Sequence, residues 1–292
     1  MRGIAYVNGA YAPLAQSLVS IQDRGFQFGD AVYEVWPIRD GRIFDAKGHM
    51  ARLHRSLSEL RIPSPMNEAA LWTVIRETVR RNRVRHGIVY VQVSRGATRG
   101  RDHTFPNPAV PPTLVVTAKN LDRTVLHKRA QEGVNVITLS ETRWARRDIK
   151  SVNLLANVLA RQAAKEAGAF EAWFVDTDGY ITEGTSSSAF IVDAHGAVRT
   201  RPLSNDLLHG VTRAALIVVA RAHGLKVIES PFTVADAEAA REAFITQASN
   251  AAVAVTAINQ VPIGEGRPGP VTKALRDAYL GVDAVQRPPS SE

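Results

Sequence analysis

Lys150, Glu183 and the tetrapeptide GVTR at 210–213 are the places where this sequence carries residues able to do chemistry. Lys150 directly precedes Ser151, the expected N-cap of a helix over 152–167, so its amine is expected near the positive end of a helix dipole. A neutral amine held on a folded scaffold is what Schiff-base formation with an aldehyde requires. Glu183 stands at a strand end, followed by a glycine and the hydroxyl run Thr185, Ser186, Ser187 and Ser188. A buried carboxylate of this kind can keep the ring nitrogen of a cofactor protonated and so turn the ring into an electron sink. At 210–213 a glycine, backbone N–H groups and the Thr212 hydroxyl lead into an apolar-periodic helix, the construction of a phosphate cup. Taken singly these are a surface lysine, a Ser-rich turn and a Thr N-cap. Taken together they are the three parts of a pyridoxal phosphate site.

The elements that must position them follow from periodicity. Strands are expected at 4–8 and 31–36, the second stopped by Pro37. Met50, Leu53, Leu57 and Leu60 recur at helical spacing ahead of Pro63, and Leu71, Val74, Ile75 and Val79 mark a second helix. Strands at 88–93 and 114–117 flank a long loop, 95–112, that ends Pro-rich, and loops of that length in compact domains are disproportionately functional. The polar stretch 119–129 shows no periodicity. Beyond it come a strand at 134–139, the 152–167 helix with Val152, Leu155, Leu159 and Ala163 on one face and Gly168 at its end, and strands at 172–175, 180–182 and 188–192. A helix at 213–222, a strand at 226–229, a helix at 235–242 and a strand at 243–246 complete the pattern. The expected organisation is a small N-terminal α/β domain over 1–120, a linker over 121–129, a larger C-terminal domain over 130–283, and a disordered tail over 284–292.

Composition sets the outer limits. The 292 residues, 45% hydrophobic, suit a two-domain globular protein. The absence of cysteine excludes disulfides, thiolate-ligated metals, iron–sulfur clusters and cysteine nucleophiles, and no metal site is expected. No apolar stretch approaches the roughly 20 residues of a membrane span, and the opening residues lack a signal-peptide core, so a cytoplasmic location is expected. The net charge of +8 is carried mostly by scattered Arg, which reads as solvated surface, and no nucleic-acid partner is expected.

Three runs, DRGFQFGDAVYEV at 23–35, RWARRDIKSVNLL at 143–155 and TEGTSSS at 182–188, resemble the class IV aminotransferases, the fold-type IV pyridoxal phosphate enzymes. The resemblance extends over nearly the whole chain, with the motifs in the same order, and is strongest to the D-amino acid aminotransferases. It implies an α/β (α+β) fold of two domains, the larger C-terminal one a pseudo-barrel, and a homodimer. It implies that Lys150 carries pyridoxal 5′-phosphate, with Tyr33 beside it. Arg52, Glu183, Ser186, Ser187, Leu208, Val211 and Thr212 are then cofactor-binding. The family's loop Arg and His that bind the substrate α-carboxylate across a dimer interface fall on Arg101 and His103, and Val35 lines the substrate site with Tyr33. Between Gly96 and His103 the loop is one residue longer than the familiar pattern, so Arg99 competes with Arg101 for the carboxylate. In TQASN at 246–250, Ala248 stands where a phosphate-binding hydroxyl is common, which shifts that job toward Ser249.

The function so implied is ping-pong transfer of the amino group of a D-amino acid, D-alanine foremost, to 2-oxoglutarate, giving pyruvate and D-glutamate. The alternatives of the same fold are an aminodeoxychorismate lyase and a branched-chain L-amino acid aminotransferase; a basic nucleic-acid-binding protein is the alternative from another class.

Overall fold

The structure, a computed structural model, describes residues 3–285. Contacts divide the chain into two units, one holding the residues up to Asp122 together with Ile149–Asn153, the other holding Arg123–Asp148 and the residues from Leu154 onward.

In the first unit the elements are β1 (Ile4–Val7), β2 (Ala10–Pro13), α1 (Arg24–Phe28), β3 (Ala31–Arg39), β4 (Arg42–Ile43), α2 (Ala46–Glu59), α3 (Glu68–Arg81), β5 (Gly87–Ser94) and β6 (Thr113–Asn120). The strands form one antiparallel sheet in the order β2-β1-β6-β5-β3-β4. Alternation along β3 sends Val32, Glu34 and Trp36 to a buried face and leaves Tyr33 and Val35 half-buried on the other. The buried face packs its Val and Trp side chains against Met50, Leu53 and Leu57 of α2 and Leu71, Ile75 and Val79 of α3. Strand β3 does not stop at Pro37. The Pro37 carbonyl accepts from Phe44 N, so the missing N–H faces that side and the ladder to β5 loses nothing.

The second unit runs α4 (Arg123–Glu132), β7 (Val134–Ser140), α5 (Leu155–Glu166), β8 (Glu171–Val175), β9 (Ile181–Gly184), β10 (Ser188–Val192), β11 (Val198–Thr200), α6 (Val211–Ala222), β12 (Val227–Glu229), α7 (Val234–Glu238), β13 (Glu242–Gln247), β14 (Ala251–Ile258), β15 (Val261–Pro262) and α8 (Pro270–Val285). Its nine strands make a mixed sheet, β12-β11-β10-β13-β14-β7-β8-β9, with β15 on β14. Strands β10, β13 and β14 are apolar runs because both faces are covered: Ala189, Ile191, Ile245 and Val253 enter one core, while Phe190, Val192, Phe244 and Ala252 meet α6 and α8 in another.

Three expectations need correction here. Residues 121–129 are not a bare linker: from Arg123 they form α4, which buries none of its residues and so carries no apolar period. The helix expected from Val152 with Ser151 as N-cap starts at Leu155, and Ser151 instead bridges to Val32 alongside β3. It buries Ala160 and Ala164 against Ala172 and Phe174, while Leu155, Val158 and Leu159 are 73%, 59% and 63% exposed. Of the tail expected over 284–292, residues 284 and 285 belong to α8 and 286–292 lie outside the described residues.

Candidate active site

In the first unit, the segment Ile149–Asn153 lies along the start of β3. Tyr33 N donates to Lys150 O at 2.9 Å, Val152 N donates to Ala31 O at 3.1 Å, and Lys150 N donates to Ser56 Oγ at 3.2 Å. With its backbone so held, Lys150 sets its Nζ 4.1 Å from the centroid of the Tyr33 ring, which stacks at 5.5 Å on Tyr90. Burial pushes the Tyr90 phenol up, with Tyr33 adding to the shift. Val35 shares the half-buried face of Tyr33 and pairs with Tyr90 across the ladder.

Ser56 sits one helical turn from Arg52 on α2. Arg52 is buried and donates from Nε to Glu34 Oε2 at 2.8 Å and from Nη2 to Glu34 Oε1 at 2.6 Å, while His49 Nδ1 lies 2.9 Å from Oε1. Burial alone would raise Glu34, but the Arg52 guanidinium and the hydrogen bonds from Arg52 and His49 hold the carboxyl well below the usual range. Burial pushes His49 down against the opposing pull of Glu34. Sequence reasoning missed Glu34 and His49. A lone Glu within the apolar strand AVYEVW was the available signal, since an unpaired charge there would be costly.

The loop 95–112 carries the three candidates for carboxylate binding, all exposed. Arg101 sets its guanidinium 4.7 Å from the Phe28 ring centroid, and the His103 ring lies 5.2 Å from the same ring, so Phe28 gathers these two. Arg99 is not among the residues gathered on that ring.

In the second unit Glu183 is buried at the end of β9. It accepts from Arg143 Nη1 at 2.6 Å and from Leu208 N at 3.1 Å to each carboxylate oxygen. Burial pushes Glu183 up and Arg143 opposes it. Arg143 also donates to Glu141 Oε2 at 2.6 Å, so one guanidinium serves two carboxylates. Arg143 lay inside the motif at 143–155 without being singled out, since its partner is 40 residues away.

Ser186 and Ser187 turn their hydroxyls to Glu171, a residue the sequence reading passed over. Glu171 accepts from Thr185 Oγ1 at 2.9 Å, Ser186 Oγ at 2.8 Å, Ser186 N at 2.9 Å and Ser187 Oγ. The hydroxyl run thus satisfies a buried carboxylate and fixes the turn that follows Glu183. Helix α6 begins at Val211 with Gly210 as an N-cap that supplies no side-chain bond, and Thr212 is buried in its first turn. A Cβ on Gly210 would lie 2.8 Å from Ser188 Oγ, and Ser188 pairs across the ladder with Thr246, whose buried hydroxyl has no partner. Ala248 and Ser249 are half-buried in the turn after β13. An uncapped helix end, a glycine where a side chain would intrude and an orphaned hydroxyl beside them are the donor set an anion such as a phosphate ester needs. Among the described residues no group of His, Asp or Glu is arranged to hold a metal ion.

Known proteins place this arrangement in context. The family description "Amino-transferase class IV" matches residues 31–258. The D-alanine aminotransferase of Bacillus licheniformis is 39% identical over 271 residues, 93% of this chain and 94% of that protein. That of Staphylococcus haemolyticus is 34% identical over 274 residues, 94% of this chain and 95% of that protein. Among solved structures, the T.th. branched-chain amino acid aminotransferase with pyridoxamine 5′-phosphate superposes with a TM-score of 0.88 at 29% identity, covering 99% of this chain and 96% of that one. The branched-chain aminotransferase from Escherichia coli, at 23% identity and a TM-score of 0.88 over 100% of this chain and 98% of that one, shares the fold.

Proposed function

The chain belongs to the class IV aminotransferases, and from that premise we propose that it moves the amino group of a D-amino acid, D-alanine foremost, to 2-oxoglutarate, with pyridoxal 5′-phosphate as cofactor. The observation that carries the chemistry is the Lys150 amine held over the Tyr33 ring. The substrate comes from relatives named D-alanine aminotransferases that match nearly the whole chain.

Lys150 would hold the cofactor covalently through Nζ, and Glu183 would face the ring nitrogen. Val211, Thr212 and Arg52 would take the phosphate, with Ser249 serving beside Ala248. Leu208, Ser186 and Ser187 support the carboxylates of that wall. When bound, pyridoxal phosphate supplies the electron sink that lets the substrate Cα lose its proton. Freed when the substrate's amino group takes its place, the Lys150 Nζ amine would take that proton from Cα as base and deliver it as acid to C4′ of the cofactor. Tyr33 and Val35 line the ground beside it. Arg101, with His103, grips the α-carboxylate through a forked pair of N–H bonds, and clamping the carboxylate decides which enantiomer turns its Cα–H toward Lys150. Of the two loop arginines we favour Arg101 over Arg99, because Phe28 orients its guanidinium beside His103. The reaction runs in two halves, so steady-state kinetics are ping-pong.

A homodimer and a cytoplasmic location belong to the same reading. The exposed Leu155, Val158 and Leu159 face of α5 supports the first; among the described residues no helix is long and apolar enough to cross a membrane. A branched-chain L-amino acid aminotransferase is the second reading, favoured by the fold match at 29% identity.

The test is the visible spectrum of the purified protein reconstituted with pyridoxal phosphate, before and after D-alanine, L-alanine and L-leucine, repeated on Lys150→Ala. Bleaching by D-alanine alone is expected, with turnover in the variant reduced at least about 10³-fold. Bleaching by L-leucine in preference to D-alanine would select the second reading. Pyruvate released from aminodeoxychorismate without any 2-oxo acid acceptor would select a lyase. A protein that takes up no cofactor and binds duplex or single strands in a salt-dependent way would reject all three.

A further inference from the structure

Arg24 grips the loop 95–112 at both its stem and its tip. It is 3% exposed on α1, and its backbone N donates to Gly96 O at 2.9 Å where the loop leaves β5. Its guanidinium donates from Nη1 to Asp102 O at 2.6 Å and from Nη2 to His103 O at 3.1 Å, while Nε donates to Asp30 Oδ2 at 2.8 Å. Asp30 is itself held by Arg95, through Nε at 2.7 Å and Nη2 at 2.9 Å. The two gripped carbonyls belong to the peptide planes on either side of the His103 Cα. Holding both in one planar fork fixes the φ and ψ of His103, and a lysine, whose donors all sit on one nitrogen, lacks the two separate nitrogens that reach one carbonyl each while Nε holds Asp30. One turn along α1, the Phe28 ring lies 4.8 Å from the Arg24 guanidinium, 4.7 Å from that of Arg101 and 5.2 Å from the His103 ring. Helix α1 therefore orients the backbone of His103 through Arg24 and the side chains of Arg101 and His103 through Phe28.

We propose that Arg24 is the positioning residue of the carboxylate site, setting the geometry in which Arg101 and His103 meet an α-carboxylate without touching the substrate itself. The proposal rests on the reading that Arg101 and His103 bind that carboxylate. It predicts an effect confined to substrates that carry one, because Lys150 and Tyr33 are held by other contacts, those of the Ile149–Asn153 segment with β3 and Ser56.

The test uses the full-length, cofactor-loaded enzyme and compares single-turnover bleaching by D-alanine with that by isopropylamine, which has the same Cα–H and methyl group but no carboxylate. Arg24→Lys is expected to lower the apparent second-order rate constant for D-alanine by about ten- to a hundredfold, the cost of a small misplacement, and to raise KM more than it lowers kcat. With isopropylamine the change is expected to stay within about twofold. Equal losses with both amines would mean a general structural role, and an unchanged D-alanine constant would mean no role; either overturns the proposal. Phe28→Leu is the second variant, expected to shift the D-alanine to isopropylamine ratio the same way by about threefold through the lost ring contacts. If Arg24→Lys does not fold, an unchanged ratio in Phe28→Leu overturns the proposal. Arg101→Ala separates the two levels. If it leaves the D-alanine KM unchanged, the carboxylate reading itself fails and takes the proposal with it. If it raises KM while Arg24→Lys does not, the proposal alone fails.

Discussion

At Glu34 a carboxylate with no solvent exposure is kept charged by Arg52 and His49, and that arrangement is sensitive to acid. Its folded pKa lies below the unfolded value of about 4.3, so its stabilisation is present above that pH and is lost as the pH falls through it toward the depressed folded value. His49, lowered by burial, acts in the same direction from a higher pH, because its neutral form is the one the fold accepts. Glu183 has the opposite sign: raised by burial, it favours the folded state at low pH and gives that up as the pH rises. Glu34→Gln is expected to cost about 3–5 kcal/mol at pH 7 by leaving the Arg52 charge buried without its counterion. Its thermal midpoint should then change less than that of the natural protein between pH 7 and pH 3. Parallel midpoint curves for the two proteins would show that Glu34 is not the acid-labile group. Lys150 and Glu183 were readable as chemistry-bearing residues because each stands in a distinctive short run. Glu34 offered only its oddity as a charge within an apolar strand, and Arg143 and Glu171 offered nothing, because no neighbouring residue announces the partners that make burying them tolerable.

At the scale of elements, backbone geometry fixes the stem of the loop 95–112, which carries the proposed carboxylate site. It opens at Gly96 with φ +108°, where a Cβ would lie 2.1 Å from Pro111 O. Gly96→Ala is therefore expected to destabilise the protein by about 1–3 kcal/mol and to raise the KM for D-alanine, checked by thermal unfolding and steady-state kinetics. An alanine accepted without loss in either measurement would mean that the loop stem is not fixed. The long loop itself was visible from its length and prolines. Helix α4 was not, because a helix that buries nothing has no apolar period to detect. Strand β3 was cut short at Pro37 because only the three-dimensional pairing shows that the missing donor faces away from β5.

For the whole molecule, α5 carries Leu155, Val158 and Leu159 at i, i+3 and i+4 on an exposed face. Each such side chain gains roughly 1.5–3 kcal/mol on full burial, and the homodimer proposed above would cover this face with a second copy of the chain. Leu159→Asp is expected to convert a dimer into a monomer in light scattering coupled to size exclusion, and an unchanged mass would exclude this face from the interface. Periodicity marked a face of this helix without saying what covers it, since the spacing that points a helix inward is the same spacing that points it at a partner.

The sequence by itself determined the chemistry. The amine at 150, the carboxylate at 183 and the glycine-threonine start of α6 are local features whose residue types together suit a pyridoxal phosphate site, and the motif runs at 23–35, 143–155 and 182–188 carry the likeness to the class IV aminotransferases. Tertiary structure alone decided what holds those groups in place: Arg52 on Glu34 across 18 residues, Arg143 on Glu183 across 40, the serine run on Glu171, and Arg24 on the carbonyls of Asp102 and His103 across 78 and 79. The physical reason is that reactivity belongs to a side chain and its immediate neighbours, whereas a buried ion pair or a gripped carbonyl exists only when folding brings distant segments within about 3 Å.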